Sequence, residues 1–545
     1  LVARLDPGLG DTVVEFNLAD ILESIVDVIG DREALICGDR RLSFNELEDR
    51  ANRLAHHLLA IGVKPGDHVG VQLYNCTEYV ETMVACFKVR AVPVNVNYRY
   101  VEEELLYLFK DADLVALVHD TEFTPRIEAI RTQAPLLGSF VHVGDGEHVS
   151  GSVAYDDSLA ANDNTRDFAP RSADDIYIIY TGGTTGMPKG VMWRQEDLFF
   201  AGMGGGEPMG TPVSAAEEVA QRALNRGPLV MFPVAPLMHG AAQLATWIGF
   251  MQAAKVVLVR KFDARDVIET VARERANSIS IVGDAMARPI AEMLEGELAG
   301  ADMSSVLAFS SAGAIFSQAV RDKLKVLLPN AMLIDNFGAS ETGFQGTGTE
   351  GSSPDTGLKF SVNDRTVVLN DELKPVTPGS GEIGRVAQRG YVPLGYYKDE
   401  TKTKESFVTI DGDRWVLLGD AAKVEEDGTI AVLGRHSVCI NTGGEKVYPE
   451  EVEAALKAHP AVYDAVVTGV PDERFGSKVT ALIQVREGCA APSLEDIATH
   501  CQTRVSRYKV PRLLFAVPEI RRSPSGKADY PWAARVAKDL QLTSG

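Results

Sequence analysis

Short apolar segments alternate with helix-like patterns along the early part of the chain. Apolar runs predict strands at residues 69–74, 92–96 and 114–118, and helical spacing predicts helices at 78–89 and 102–109. Strands separated by helices in this rhythm favour a mostly parallel sheet with helices on both faces. Ser43 and Glu46 predict a capping box that begins a helix, and residues 202–227 are predicted to be irregular. The same alternation resumes after residue 263, with strands predicted at 305–309 and at 333–337, the second ending in a glycine turn. The sequence therefore predicts an α/β fold.

The length of 545 residues exceeds what one hydrophobic core holds, so at least two domains are expected. Residues 145–173 are rich in Gly, Ser, Asp and Asn, which predicts a linker between two α/β sheet subdomains. Residues 357–432 change to short strands and turns, which predicts a small β-rich layer. A compact α/β module follows. We place the boundary after residue 435, which gives a large N-terminal domain, 1–435, and a small C-terminal domain, 436–545.

Charge and cysteine usage exclude several classes of function. A net charge of −22 argues against a nucleic-acid partner and against binding to an anionic membrane by charge alone. The six cysteines form no C-x-x-C pair, so neither a zinc site nor a disulfide framework is predicted. The most apolar window, 240–254, is too short and too polar to span a bilayer, and the first residues lack the apolar core of a signal peptide. These features predict a cytoplasmic protein with reduced thiols and no transmembrane segment.

A glycine-rich stretch at residues 180–190 reads Y-T-G-G-T-T-G-M-P-K-G and follows an apolar strand pattern at 176–180. Glycines let backbone amides approach an anion closely, and threonine hydroxyls and a lysine add further donors. The stretch lacks the order of a Walker A loop. An ordinary glycine-rich turn is the alternative interpretation. The residues predicted to bind a phosphate-bearing ligand here are Thr181, Gly182, Gly183, Thr184, Thr185, Gly186 and Lys189.

This stretch resembles the signature loop of the adenylate-forming enzymes, the superfamily of acyl-CoA synthetases, luciferases and peptide-synthetase adenylation domains. Gly182 stands where that family usually has serine. Further segments resemble the family's motifs in the same order, so that the resemblance covers about residues 18–529. These segments are 236–240, Ala312-Gly313-Ala314, 336–341, 415–420, 440–453 and 521–527.

The resemblance implies how ATP would be held. Phe337 stands where tyrosine is usual and would stack on adenine, while backbone at Gly313 and Ala314 would run beside the adenine and the acyl chain. Ser340 keeps a hydroxyl for a phosphate oxygen or a bound carboxylate, and Glu341 would be the Mg²⁺ ligand. The alternative for this motif is a capped turn with a solvated glutamate. The other implied nucleotide contacts are Asn336 and Gly338 of the same motif, Asp420 at the ribose hydroxyls, and Arg435 at ribose and phosphate oxygens.

The remaining motifs imply the acyl site, the catalyst and the CoA site. His239 would stand between the acyl and nucleotide sites, although a lone histidine is more often a core residue. Lys527 would be the adenylation catalyst, because a lysine on a long stem reaches a carboxylate and a phosphate together. A mobile C-terminal domain would turn about Ser437, which occupies a position where the family usually has Asp or Lys. It would bring Gly443, Gly444 and Lys446 to the CoA pantetheine.

The family resemblance implies an AMP-forming acid–CoA ligase that uses ATP, Mg²⁺ and CoA. The expected acyl pocket, along 239–248, 282–286 and 311–316, has small or apolar residues and no evident cation, which favours a bulky apolar acid. The whole-chain pattern resembles actinobacterial enzymes for steroid side-chain carboxylates, with medium- or long-chain fatty acids as the alternative. A ligase that loads a carrier protein, a luciferase-like oxygenase and a non-catalytic nucleotide- or lipid-binding protein stay open. A homodimer is expected from the family only.

Overall fold

The computed structural model describes the helices and strands of most of the chain. The described residues are 15–181, 187–314, 316–348, 358–435, 438–442, 445–472, 476–522 and 527–544. The helices are α1 Leu18–Ile29, α2 Phe44–Ala60, α3 Thr77–Lys88, α4 Glu102–Asp111, α5 Thr124–Ile130, α6 Tyr155–Ala160, α7 Gln195–Gly202, α8 Glu217–Asn225, α9 Gly240–Met251, α10 Ala264–Glu274, α11 Gly283–Glu295, α12 Gln318–Leu327, α13 Glu400–Ser406, α14 Pro449–Lys457, α15 Leu494–Gln502 and α16 Tyr530–Ser544.

The strands follow the same order along the chain. They are β1 Glu33–Cys37, β2 Arg40–Ser43, β3 His68–Gln72, β4 Val92–Asn95, β5 Leu114–Asp120, β6 Ser139–Val143, β7 Val153–Ala154, β8 Ile176–Thr181, β9 Lys189–Arg194, β10 Val230–Pro233, β11 Lys255–Leu258, β12 Ser278–Ile281, β13 Ala308–Ala312, β14 Met332–Ala339, β15 Gly343–Gly348, β16 Leu358–Val362, β17 Thr366–Leu369, β18 Gly384–Arg389, β19 Gly395–Tyr396, β20 Phe407–Ile410, β21 Asp413–Val424, β22 Ile430–Arg435, β23 Ile440–Thr442, β24 Glu445–Val447, β25 Val462–Asp472, β26 Gly476–Val485 and β27 Leu513–Val517.

Two sheets carry the predicted parallel strands. The first has the order β4-β3-β5-β6-β7, and all its neighbouring strands are parallel. The second contains the parallel run β1-β11-β10-β12-β13-β14. Valines of β3 and leucine and valine side chains of β1 and β11 belong to one continuous core, which packs the two sheets and their helices together. The predicted α/β fold with two sheet subdomains is therefore confirmed.

Successive side chains along strands of the second sheet pack into two different hydrophobic cores. Leu35 packs into the core shared with the first sheet, and its neighbour Ile36 packs into the core beneath α10 and α11. Val256 and Val257 on β11 divide in the same way. Side chains alternate between the faces of a strand, so a strand buried on both faces must be apolar at every position. This explains the unbroken apolar runs in the sequence.

The β-rich region predicted at 357–432 continues the second sheet rather than standing apart from it. β14 pairs with β15 in antiparallel fashion, and the sheet then runs through β16, β22, β21, β18 and β17. A separate three-stranded sheet has the order β19-β9-β8. The C-terminal module is an α/β unit whose strands pair in the order β25-β26-β27, with a short β23–β24 hairpin beside it.

Several helices and strands differ from those predicted from the sequence. The predicted linker 145–173 contains β7 and α6, and the stretch 202–227, predicted to be irregular, contains α8, whose apolar face packs on α1. The strand predicted at 305–309 begins later and runs to Ala312. The strand predicted to end in a glycine turn after Phe337 continues through Gly338 to Ala339. By contrast, the capping box of Ser43 and Glu46 that begins α2 is present as predicted.

No helix within the described residues is long and apolar enough to cross a membrane. The most apolar segment of the sequence forms α9, which is 12 residues long. A helix of that length spans about 18 Å, well short of a bilayer core of roughly 30 Å.

Asp335 on β14 is a buried carboxyl group whose protonation should affect stability. Burial raises its pKa to about 7; Arg321, 4.0 Å away, lowers it and Asp284 raises it further. A folded-state pKa above the unfolded value means that the native state holds this proton more tightly. The stabilisation is fully present below about pH 4 and is lost as the pH rises towards 7.

Asp335→Asn should therefore make the stability of the folded protein less sensitive to pH. Between pH 5 and pH 8 the thermal unfolding midpoint of the wild type should fall relative to that of the variant, because only the wild type must ionise the buried carboxyl at position 335. One pKa unit corresponds to about 1.4 kcal/mol, so the relative loss should be a few kcal/mol at most. Asp322→Asn, at an exposed position on α12, is the control. Parallel curves for the wild type and Asp335→Asn would contradict the interpretation.

Candidate active site

The carboxyl ends of four parallel strands form the edge at which the predicted site residues meet. His239 lies in the segment after β10, Gly283 comes two residues after the end of β12, and Gly313 follows the last residue of β13. Glu341 comes just beyond the end of β14. Ligands of open α/β sheets bind in the crevice outside the carboxyl ends of the strands. The three segments predicted to line an acyl pocket thus begin near the carboxyl ends of three adjacent strands, β10, β12 and β13.

The signature stretch forms a β-hairpin beside this edge. Thr181 at the end of β8 pairs with Lys189 at the start of β9, and Tyr180 pairs with Gly190. A side chain at position 190 would sit 2.7 Å from the Tyr180 ring, so only glycine fits there. The residues between the two strands, Gly182, Gly183, Thr184, Thr185 and Gly186, lie outside the described part of the chain. The pairing of β8 with β9 fixes the positions of Thr181 and Lys189 on either side of them.

The side chain of Asn95 joins the hairpin to both sheets. Its Oδ1 accepts a hydrogen bond from the Tyr180 backbone N–H at 2.8 Å, and its Nδ2 donates to the Tyr180 carbonyl at 2.8 Å. The same Nδ2 donates to the Met238 carbonyl at 2.7 Å, next to His239. Asn95 is only 5% exposed, and a buried amide left without partners would cost free energy. The end of β4 therefore holds the end of β8 and the segment before α9 together.

The end of β14 is shaped by glycines and by one buried tryptophan. A Cβ at Gly338 would approach the carbonyl oxygen of Gly343 to 2.1 Å, so β15 can pass this close only over a glycine. Trp193 of β9 is fully buried, and its indole N–H donates to the carbonyl of Ser340 at 2.8 Å. The Thr342 hydroxyl accepts from the Ala339 N–H at 2.9 Å. These contacts fix the turn that presents Ser340 and Glu341.

Phe337 and Asn336 lie within β14 rather than in a turn. The Phe337 ring stacks on Phe360 of β16, with ring centroids 4.8 Å apart and an interplanar angle of 27°. Asn336 pairs with Ala312 of β13, so the Ala312-Gly313-Ala314 segment is adjacent to it. Gly313 has φ +79°, and the position of a Cβ there would meet open space. The two predicted adenine-binding segments are therefore neighbours at the sheet edge.

Two charged side chains of the predicted site are held by one short segment, residues 395–399. The Tyr396 hydroxyl donates to Glu341 Oε1 at 3.0 Å. Asp399 forms an ion pair with the ammonium group of Lys189 and, largely through this hydrogen bond, has a lowered pKa. Sequence reasoning missed both Tyr396 and Asp399.

The donors at this edge fit a magnesium ion bound together with phosphates. Within the described residues, no group of three His, Cys, Asp or Glu side chains could hold a metal ion by itself. Mg²⁺ is usually bound by one or two carboxylates, with substrate phosphates and water completing the shell. Glu341 offers one such carboxylate beside the hairpin that begins with Thr181. The described residues thus form no set of protein ligands that would hold a structural metal by itself.

Asp420 and Arg435, predicted to hold the ribose, are register partners on neighbouring strands. β21 and β22 are antiparallel, and the two residues lie directly opposite each other. Directly opposite residues have Cα atoms roughly 5 Å apart. The strand order places β16 and β15 between β22 and β14, on the same continuous sheet as Phe337.

His239 occupies the N-cap position of α9 and is half-buried. Its backbone N–H donates to the Pro236 carbonyl, and its own carbonyl accepts from Ala242 at 3.1 Å. Gln243, one turn into the helix, accepts from the Tyr177 hydroxyl at 2.7 Å and donates to the Leu237 carbonyl at 2.8 Å. These hydrogen bonds fix the first turn of α9 and therefore the backbone position of His239.

The C-terminal module contacts the helix that starts at this edge. Arg486 pairs with Glu292 of α11 at 3.2 Å, and the Arg288 guanidinium lies 5.4 Å from the centre of the Tyr463 ring. Arg522 holds Asp464 with two hydrogen bonds of 2.6 and 2.7 Å. Burial lowers the pKa of Arg522, but Asp464 and the nearby Glu453 and Asp284 carboxylates raise it overall. Arg522 therefore lies near the first turn of α11.

Lys527 is half-buried and immediately precedes Ala528, which forms a β-bridge with Arg522. The bridge and the Arg522 contacts bring the lysine segment to the side of the module that contacts α11. Lys446 lies on β24, where Asn441 of β23 is its register partner. Gly443 and Gly444, between those strands, lie outside the described residues.

Asn95, Trp193, Tyr396 and Asp399 are the site-building residues that sequence reasoning missed. Each contacts a residue distant in the chain: Asn95 is 85 positions from Tyr180, and Tyr396 is 55 positions from Glu341. Local pattern carries no information about such pairs. The one available signal was the buried polar position of Asn95 at the end of an apolar strand, which usually requires a partner.

Two family models match this chain. The model described as AMP-binding enzyme matches residues 22–397, and the model of the AMP-binding enzyme C-terminal domain matches 451–527. Together they cover the sheet edge, the signature hairpin and the lysine at position 527.

Known proteins are also similar to this chain along nearly its whole length. A medium/long-chain-fatty-acid–CoA/3-oxocholest-4-en-26-oate–CoA ligase of Mycobacterium tuberculosis is 46% identical over 548 residues, which cover 98% of this chain and 100% of the relative. A 3-oxocholest-4-en-26-oate–CoA ligase of Rhodococcus rhodochrous is 45% identical over 529 residues, 95% of each chain.

Solved structures share the fold along nearly the whole chain. The crystal structure of an anthranilate CoA ligase in complex with anthranoyl-AMP has a TM-score of 0.83 and 25% identity, and covers 98% of this chain and 99% of its own. The o-succinylbenzoate CoA synthetase of Bacillus subtilis, in complex with its acyl-adenylate intermediate, has a TM-score of 0.76 and 23% identity. The match covers 94% of this chain and 97% of the synthetase. These matches confirm the resemblance predicted from the motifs. The chain therefore belongs to the AMP-binding enzyme family.

Proposed function

We propose that this enzyme is an ATP-dependent acid–CoA ligase of the AMP-forming type. The observation that carries the proposal is that hydrogen bonds of Trp193 and Tyr396 join the signature hairpin to the Ser340–Glu341 turn at one sheet edge. The segment of Lys527 belongs to the module that contacts α11, which starts at the same edge. The relatives at 45–46% identity are named as acid–CoA ligases, which supports the same activity.

The first half-reaction activates the acid. A carboxylate is a poor acyl donor because its leaving group would be oxide. One carboxylate oxygen attacks the α-phosphorus of ATP, the bond to the bridging oxygen breaks, and pyrophosphate leaves with the electron pair. Because the protein supplies no covalent nucleophile in this scheme, its work is positioning and charge neutralisation. Lys527 and the hairpin that includes Thr181 and Lys189 neutralise the charge that develops.

The nucleoside is held by the residues of the continuous sheet. Phe337 stacks on adenine, and backbone at Asn336, Gly338, Gly313 and Ala314 lines its slot. Asp420 accepts hydrogen bonds from the ribose hydroxyls, and Arg435 holds ribose and phosphate oxygens. A bound Mg²⁺ would neutralise phosphate charge, with Glu341 as its protein ligand and Ser340 nearby. His239, at the start of α9, separates the acyl site from the nucleotide.

The second half-reaction transfers the acyl group. The CoA thiolate attacks the acyl carbon, the bond to the AMP oxygen breaks, and AMP leaves with that electron pair. We place the domain boundary after Arg435, so that residues 436–545 turn about the Ser437 region between the two steps. The turn moves Lys527 away and brings Gly443, Gly444 and Lys446 to the pantetheine. Hinges need only a few residues that absorb a dihedral change.

The acid is a bulky apolar carboxylate, most consistent with a steroid side-chain acid. The segments at the carboxyl ends of β10, β12 and β13 supply small residues such as Ala241, Gly283 and Ala312, and Ala241 is exposed. Leu244 and Ile248 add half-buried apolar surface on α9. The similar ligases are named for 3-oxocholest-4-en-26-oate and for medium- and long-chain fatty acids. Fatty acids are the second candidate for that reason.

The substrate proposal predicts which acids release AMP. With CoA and ATP, 3-oxocholest-4-en-26-oate should give the highest kcat/KM, a long-chain fatty acid should also react, and anthranilate should be poor, because a small polar acid leaves apolar surface unfilled. A coupled assay of AMP release, together with detection of the acyl-CoA product, measures the reaction of each acid. A clear preference for the fatty acid would support the second candidate. Absence of AMP with every acid would contradict the ligase proposal.

Lys527→Ala should separate the two half-reactions. Adenylation, measured as acid-dependent exchange of labelled pyrophosphate into ATP, should fall by about 100- to 1,000-fold, as for loss of one transition-state donor. Thioester formation from supplied acyl-adenylate should largely survive. Lys538→Ala, an exposed lysine of α16, is the control and should change neither. Equal loss of both half-reactions would contradict the assigned role.

A further inference from the structure

The hydroxyl of Tyr396 is aimed at the carboxylate that the proposed function assigns to Mg²⁺. It donates to Glu341 Oε1 at 3.0 Å, within the ordinary range for such a bond. Hydrogen bonds to a charged acceptor are the stronger kind. The contact joins residues from two different sheets, since Tyr396 ends β19 and Glu341 follows β14.

Tyr396 is held so firmly that it can fix the position of another group. It is 7% exposed, and its ring packs edge-on against Phe407 with centroids 5.8 Å apart. Its backbone N–H donates to the Thr403 hydroxyl at 2.9 Å, and its register partner on β9 is Val191. Backbone, ring and hydroxyl are therefore all constrained, so the hydroxyl cannot follow the carboxylate if that side chain changes rotamer.

The same segment holds the lysine of the signature hairpin. Asp399 forms an ion pair with Lys189, whose ammonium nitrogen lies 6.0 Å from the centre of the Tyr396 ring. Asp399 is itself fixed, because it caps α13 by accepting from the Lys402 N–H at 2.8 Å. Residues 395–399 thus set the spacing between the Glu341 carboxylate and the signature hairpin.

We infer that Tyr396 is a positioning residue for Glu341: its hydroxyl holds the carboxylate in the rotamer that receives Mg²⁺ with ATP. The inference rests on the proposed role of Glu341 as the metal ligand. Partners that orient a metal ligand typically change metal affinity by about 10- to 100-fold when they are removed. Loss of the Tyr396 hydroxyl should therefore weaken Mg²⁺-dependent nucleotide binding without changing the acyl or CoA sites.

The chain offers a matched control in the next residue. The Tyr397 hydroxyl donates to Asp113 Oδ2 at 2.9 Å, away from the site. Tyr396→Phe and Tyr397→Phe each remove one hydroxyl and one hydrogen bond to a carboxylate. Only the first removes a bond to Glu341. Thermal unfolding midpoints of both variants report whether the protein remains folded.

The test measures ATP binding by calorimetry over a range of Mg²⁺ concentrations. In Tyr396→Phe the Mg²⁺ concentration for half-maximal ATP affinity should rise by about 10-fold or more, and affinity in excess EDTA should stay unchanged. KM values for the acid and CoA should also stay unchanged. Tyr397→Phe should behave like the wild type. Equal Mg²⁺ responses of the two variants would overturn the inference.

Glu341→Gln separates this inference from the proposed function. If Glu341 is the ligand, Glu341→Gln loses most of the Mg²⁺ response, and adding Tyr396→Phe changes nothing further, because both changes act through one group. Additive losses in the double variant would overturn the positioning role alone. An unchanged Mg²⁺ response in Glu341→Gln would overturn the assignment of Glu341, and the inference with it.

Discussion

The buried amide of Asn95 is the contact on which the rest of the site depends. It pairs with both the N–H and the carbonyl of Tyr180 and donates to the carbonyl of Met238, so one side chain joins the first sheet, the signature hairpin and the start of α9. The first sheet and the signature hairpin belong to separate hydrogen-bonded sheets, and no backbone ladder among the described residues connects those two sheets. An amide that is 5% exposed must find its partners, and here its partners are the elements that carry Thr181 and His239.

Around this junction, the fold assigns different tasks to different kinds of element. Parallel strands bring His239, Gly313 and Glu341 to one edge, where backbone and small side chains leave room for ligands. Antiparallel strands extend the same sheet to Asp420 and Arg435, the residues predicted to hold the ribose. The buried contacts of Trp193 and Tyr396 join the signature hairpin to β14. Rigid placement of charge suits a reaction that needs no covalent nucleophile.

Sequence reasoning succeeded where local pattern carries the information. Apolar runs located β3, β4 and β5 within about two residues, Ser43 and Glu46 marked the start of α2, and ordered motifs identified the family. It failed at residues 145–173 and 202–227, because polar composition there masked α6 and α8, whose stability comes from tertiary packing. It also missed Asn95, Tyr396 and Asp399, whose partners are distant in the chain. The assigned roles of Lys527, Asp420 and Arg435 stay predictions.

The central claim is that this sheet edge transfers AMP onto a carboxylic acid. Isotope transfer tests it most directly. When the acid carries ¹⁸O in both carboxylate positions and turns over with unlabelled ATP and CoA, one ¹⁸O atom should appear in AMP and none in pyrophosphate, as measured by mass spectrometry. The label moves because the attacking oxygen stays on the α-phosphorus when the thiol displaces AMP. Unlabelled AMP, or label in pyrophosphate, would contradict the account.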